Sequence, residues 1–84
     1  MNIYLSSKAD KQLSKLPVKM HDLLVSRIEM LSEDPYQTGC KKLENRDGYR
    51  VRIGDYRIIY TVDKFNKEIT ILSLAHRKEA YRMK

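Results

Sequence analysis

The chain has a single cysteine, Cys40, among its 84 residues. No internal disulfide can form, so stability must come from packing or from a partner. A reducing compartment, the cytoplasm, is the expected location of such a chain. The apolar run at the N-terminus ends at Leu5, too short for a signal peptide. No stretch approaches the ~20 apolar residues needed to span a bilayer, so a membrane is not an expected partner. Glycine is scarce, at three residues, and none of them belongs to a Gly-rich phosphate loop. No group of His, Cys, Asp and Glu has metal-ligand spacing, so neither a metal nor a small-molecule cofactor is expected. Internal repeats and low-complexity segments are also missing. The length bounds the fold to one domain, 1–84, whose thin core hides roughly 60–65% of the unfolded chain's surface.

What the chain does have is positive charge. There are 17 Lys+Arg against 11 Asp+Glu, a formal net charge of +6. Residues 21–40 carry net −3, whereas 1–20, 41–60 and 61–84 carry net +3 each. A basic second half on a small domain suggests a polyanionic partner, namely RNA, DNA or an acidic protein segment. The alternative is a surface charge that serves solubility alone.

Residues 2–5 read as a short strand from their β-branched and aromatic content. Ser7, with Asp10 three residues later, resembles a capping box, and Ala9, Leu13 and Leu16 recur at helical spacing. These place a first helix at about 7–16. Pro17 breaks it and suits the first turn of another. Met20, Leu24, Ile28 and Leu31 then mark an amphipathic second helix, about 18–32, ended by Asp34-Pro35. The short connection predicts an antiparallel helical hairpin. Residues 36–42 read as a loop turning at Gly39. The period then changes to two: Tyr49, Val51 and Ile53 alternate with Arg50 and Arg52, and Tyr56, Ile58, Tyr60 and Val62 with Arg57, Ile59 and Thr61. Gly54-Asp55 is a tight turn, 64–67 a second turn with Asn66 at its special backbone position, and 68–75 a last strand. The expected fold is α+β, in the order β-α-α-β-β-β. A helical hairpin covers one face of a mainly antiparallel sheet, and a short C-terminal tail follows.

Alternation puts Arg50 and Arg52 on the side of their strand opposite Tyr49, Val51 and Ile53. The Gly54-Asp55 turn would bring Arg52 and Arg57 close across the strand pair. Like charges so placed are destabilising, and a phosphate would relieve the repulsion through bidentate guanidinium bonds. Alternatively, this is a solvated face neutralised by Asp47 and Asp55. The segment from Ala75 to Arg82 adds Arg77, Lys78 and Arg82. It also brings His76 and Tyr81, groups able to transfer a proton.

Three segments carry a family resemblance: Lys41-Lys42-Leu43, Tyr49 to Tyr60 with its arginine-flanked Gly-Asp-Tyr-Arg turn, and Ala75 to Tyr81. They resemble the RelE/ParE toxins of type II toxin–antitoxin systems, and the element order agrees over essentially the whole chain. The resemblance implies one of two activities. RelE-like members cut mRNA in the ribosomal A site without a metal, whereas ParE-like members poison DNA gyrase. A non-toxic member that binds only antitoxin or RNA is a third possibility. Carried over by position, Arg50, Arg52, Arg57, Arg77 and Tyr81 resemble the RelE-like catalytic set, with arginine at places where some members have lysine. In that reading Arg57 and Arg77 hold the scissile phosphate, Arg50 and Arg52 position the backbone, and Tyr81 or His76 is the general base or acid. Lys41, Lys42, Arg46, His76, Lys78 and Arg82 would contact RNA around them. The implied partners are an acidic cognate antitoxin, the ribosome and mRNA.

Overall fold

The computed structural model describes residues 1–76. The chain runs β1 (Asn2–Leu5), α1 (Ser7–Ser14), α2 (Val18–Glu33), β2 (Lys41–Lys42), β3 (Tyr49–Ile53), β4 (Tyr56–Asp63) and β5 (Glu68–His76). The strands make one sheet in the order β1-β5-β4-β3-β2. β2 to β5 form an antiparallel meander, and β1 joins the far edge parallel to β5. This is the expected α+β architecture with one correction: Lys41 and Lys42, expected in a loop, pair with Arg50 and Tyr49 as an edge strand. Two lysines have little β-propensity, and two residues are too few to show a period.

The helix termini also differ slightly from expectation. Ser6, not Ser7, caps α1: its backbone is extended, and its Oγ accepts from the Ala9 N–H at 3.0 Å. α1 ends at Ser14, with Lys15 as C-cap, because Leu16 precedes a proline and is steered out of the helical region. The left-handed residue of the β4–β5 turn is Lys67 (φ 55), not Asn66. Asn66 instead donates its backbone N–H and side-chain amide to Asp63, and these two bonds hold the Asp63 carboxyl below the usual carboxylate range.

The helices lie against one face of the sheet. Ala9, Leu13, Leu24, Ile28 and Leu31 form a single core cluster with the inward side chains of β3, β4 and β5. Strict alternation through β5 would bury Ile69, Ile71 and Ser73 and leave Leu74 outside. Instead the register slips: Tyr60 pairs with Ile71 but Ile59 with Ser73, leaving Leu72 as an extra residue. This β-bulge reverses the phase, so Leu74 joins Ile69 and Ile71 in the core.

Ser6, the N-cap of α1, and Gln12 within it supply the polar partners that β5 needs beyond the end of β1. The Ser6 N–H donates to the Ile71 carbonyl at 2.9 Å, and the Ser6 hydroxyl to the Leu72 carbonyl at 2.7 Å. The Leu74 N–H donates to Gln12 Oε1 at 2.7 Å. The bulged edge is thereby closed by one backbone and two side-chain bonds where no strand covers it.

Tyr60 ties the loop after α2 to the sheet. Its ring is fully buried, and its hydroxyl donates to the Pro35 carbonyl at 2.7 Å. Burial, with the Cys40 thiol beside it, pushes the phenol well above its ordinary value. A raised folded-state pKa means that its stabilisation is complete below the unfolded value of about 10 and is lost as pH rises beyond it. Tyr60→Phe is expected to cost about 1 kcal/mol at neutral pH. In denaturant titrations the gap between the two proteins should shrink between pH 9 and 11; a constant gap would refute the assignment.

Candidate functional site

Directly opposed residues of an antiparallel pair share a face. Tyr49, Val51 and Ile53 on β3 oppose Tyr60, Ile58 and Tyr56 on β4, and these form the helix-facing side. Arg50 opposes Ile59, and Arg52 opposes Arg57, on the other side. Lys41 opposes Arg50 and joins that side from β2, while Lys42 falls on the helix-facing edge. Lys41, Arg50, Arg52 and Arg57 therefore gather on the sheet face that carries no helix.

The local cause is the β3–β4 turn. Only two residues, Gly54 and Asp55, connect the strands, and positive φ occurs at Gly54 (φ 59) but not at Asp55. This is the pattern of a type II′ hairpin turn, whose twist matches the flanking strands and fixes the register. In that register the arginine two residues before Gly54 lies opposite the arginine two residues after Asp55.

Arg52 is exposed, and Arg50 and Arg57 are half-buried. Among the described residues no carboxylate forms a salt bridge with any of the three. Neither Asp47 nor Asp55 stands within salt-bridge distance of them. Among the described residues, three permanent cations therefore share a face without an ion-pair partner. Guanidinium groups offer planar, paired donors, a geometry that suits phosphate oxygens.

The other expected residues fall elsewhere. The bulge places Ser73 and Ala75 on the arginine side and His76 on the helix-facing side, opposite Tyr56. The two rings pack edge to face, with centroids 5.2 Å apart. His76 also lines a cleft of about 440 Å³ with Gln12, Lys15, Leu16 and Pro17. It is thus separated by the sheet from the arginines. Arg46 is exposed in the β2–β3 loop, at the other end of β3 from Arg52. Arg77, Lys78, Tyr81 and Arg82 lie outside the described residues.

The arginine face also carries hydroxyl groups that sequence reasoning did not single out. Thr61 and Thr70 oppose each other there, and Ser73 lies opposite Ile59. Thr61 follows from the alternation of β4. Ser73 does not, because only the bulge turns it outward.

A family model described as the ParE toxin of the type II toxin–antitoxin system parDE matches residues 3–81. A toxin RelE from Mycobacterium tuberculosis is 27% identical over 84 residues, which are 98% of this chain and 87% of that protein. The toxin–antitoxin complex RelBE2 from the same organism contains a chain that superposes with a TM-score of 0.81 at 26% identity, covering 90% of this chain and 96% of that one. An archaeal RelE–RelB complex from Pyrococcus horikoshii gives a TM-score of 0.81 at 32% identity, covering 90% and 93%.

Proposed function

Because the chain belongs to the ParE toxin family of type II toxin–antitoxin systems, we propose that it is a ribosome-dependent mRNA endonuclease that blocks translation by metal-free cleavage. One observation carries the reading: Arg52 directly opposes Arg57 on an open sheet face, with no carboxylate partner among the described residues. A fold selected for stability alone has no use for that pair, whereas a scissile phosphate would bridge it.

The chemistry follows from the residue types. In metal-free RNA cleavage the adjacent 2′-hydroxyl attacks the phosphorus, and the 5′-oxygen leaves. Arg52 and Arg57 would stabilise the charge that builds on the non-bridging oxygens, a preorganised electrostatic task. Arg50 and Lys41 extend the cationic track along the strand backbone. Arginine is a poor proton carrier, its pKa lying above about 12. Proton transfer therefore falls to Tyr81 in this reading, with Arg77 as a further phosphate ligand, both by resemblance. His76 stands on the opposite side of the sheet, so its expected role as acid or base is the less favoured one. The cationic face would also give an acidic antitoxin its electrostatic handle, which fits relatives solved as toxin–antitoxin complexes.

A second reading, a DNA gyrase inhibitor, is the activity that the resemblance to ParE-like members implies, and the matching family is that of ParE toxins. Expression of the protein in bacteria separates the two. The endonuclease reading expects translation to stop and new mRNA 5′ ends to appear in phase with the ribosomal A site, with DNA supercoiling unchanged. Gyrase-linked DNA breaks with intact mRNA would reverse the assignment.

A further inference from the structure

The bulge in β5 re-aims one polar side chain onto the arginine face. Without the extra residue, Leu72, Ser73 would point toward the helices. With it, Ser73 opposes Ile59, which in turn opposes Arg50. Bulges recur beside functional sites because they redirect side chains in this way. Two residues further along β5, Ala75 opposes Arg57. Ser73 is therefore the diagonal neighbour of Arg57, about 7–8 Å away. Glu68 and Thr70 of the same strand lie at the far end of the face, opposite Asp63 and Thr61, and Ala75 has no polar group. Among the described residues, Ser73 is thus the hydrogen-bonding side chain that β5 places beside the arginine pair.

The fold makes no use of its hydroxyl. The hydroxyls of Ser6, Ser14 and Ser32 each donate to a backbone carbonyl. Ser73 is half-buried, yet among the described residues no hydrogen bond engages its side chain. Its one donor and two acceptor sites are open to a ligand. β1 ends at Leu5, opposite Ile71, so no strand covers that flank of Ser73.

The arginines decide what such a ligand is. DNA and RNA offer the same phosphates to Arg52 and Arg57. They differ at the 2′-position, where RNA alone carries a group that both donates and accepts. Telling them apart takes a neutral hydrogen-bonding group about one sugar away from the phosphate, which is where Ser73 stands.

We infer that Ser73 is a specificity-determining residue of the arginine site. Its hydroxyl accepts a hydrogen bond from the 2′-hydroxyl of the ribose on the 5′ side of the phosphate held by Arg52 and Arg57. The contact selects RNA over DNA and turns the lone pairs of the attacking oxygen toward the phosphorus. The inference rests on the RNA reading above and names the sugar group that the same site recognises.

The test compares two labelled single strands of about 12 nucleotides with the same bases, one ribo and one deoxy, at low salt. The parent protein should bind the ribo strand more tightly. Ser73→Ala should weaken the ribo strand about 2- to 12-fold, the worth of one neutral hydrogen bond. It should leave the deoxy strand unchanged and melt close to the parent. Ser73→Thr keeps a hydroxyl and should retain the preference, whereas Arg57→Gln should weaken both strands alike. Equal binding of the two strands by the parent, unchanged ribo affinity in Ser73→Ala, or equal losses on both strands overturns the inference. If Arg57→Gln still loses the ribo strand in any of these cases, the functional reading stands without Ser73. A parent protein that binds neither strand overturns both.

Discussion

Arg57→Gln is expected to lower mRNA cleavage by 10²–10³-fold and, in the same protein, to raise stability. The first effect is the usual cost of removing one preorganised donor from a developing oxyanion. The second follows from the pairing of Arg57 with Arg52, two like charges directly opposed on one face. Such a pair is destabilising on a scale of about 0.2–1 kcal/mol. For a domain of this size that corresponds to a rise of ~1–8 °C in melting temperature. Glutamine keeps much of the aliphatic stem that packs on the sheet, so lost charge is the main change. Arg52→Gln should behave alike, and the double variant should gain less than the sum, because the first substitution already removes the repulsion. Added salt should stabilise the parent more than either variant. Cleavage within tenfold of the parent would remove Arg57 from the chemistry. A fall in melting temperature for both single variants would show that the pair is not under electrostatic strain.

The largest expected loss of stability lies at a residue with no chemistry. Gly48 has φ +128, and a Cβ built on it would stand 2.9 Å from the Tyr60 carbonyl oxygen and 3.2 Å from Leu43 Cδ1. The leucine methyl can move aside. The carbonyl belongs to β4 at the centre of the sheet and cannot. Gly48→Ala thus combines backbone strain of about 1–3 kcal/mol with a steric conflict, and should cost about 3 kcal/mol or more. A domain of this size has roughly 4–13 kcal/mol in all. Gly39→Ala is the matched control: its φ of +93 is also unfavourable, but nothing lies within 4 Å of the added carbon. It should cost only the strain. Denaturant midpoints decide the comparison, and equal losses at the two positions would refute the clash. The Gly48 carbonyl also accepts the Leu43 N–H at 3.0 Å, the bond that closes the β2–β3 loop. A weakened variant should therefore release Lys41 from beside Arg50 before the rest of the sheet opens.

Composition and periodicity by themselves determined much of this protein. The spacing of Ala9 and Leu13, and of Leu24, Ile28 and Leu31, marks both helices. Alternation from Tyr49 to Val62, interrupted by Gly54-Asp55, marks the central hairpin and places Arg50, Arg52 and Arg57 on one side. These features were legible because each is local: the chain's own period and a two-residue turn set them, with no reference to distant residues. The arrangement of what surrounds the arginines was not legible in this way. Lys41 reaches Arg50 only through a two-residue strand pairing. The absence of a carboxylate ion-pair partner for the arginines among the described residues, despite Asp47 and Asp55 nearby in sequence, depends on where the loops come to rest. The side of the sheet that His76 occupies was decided by one extra residue, Leu72. A two-residue period cannot register that insertion, because a single slip exchanges the faces for every residue after it. What favours the slip lies far away in the chain: Leu74 gains the core, and Ser6 and Gln12 on the other side of α2 satisfy the bulged backbone. The arginine face follows from the sequence of one hairpin, whereas the separation of His76 from it exists only because α1 and β5 meet.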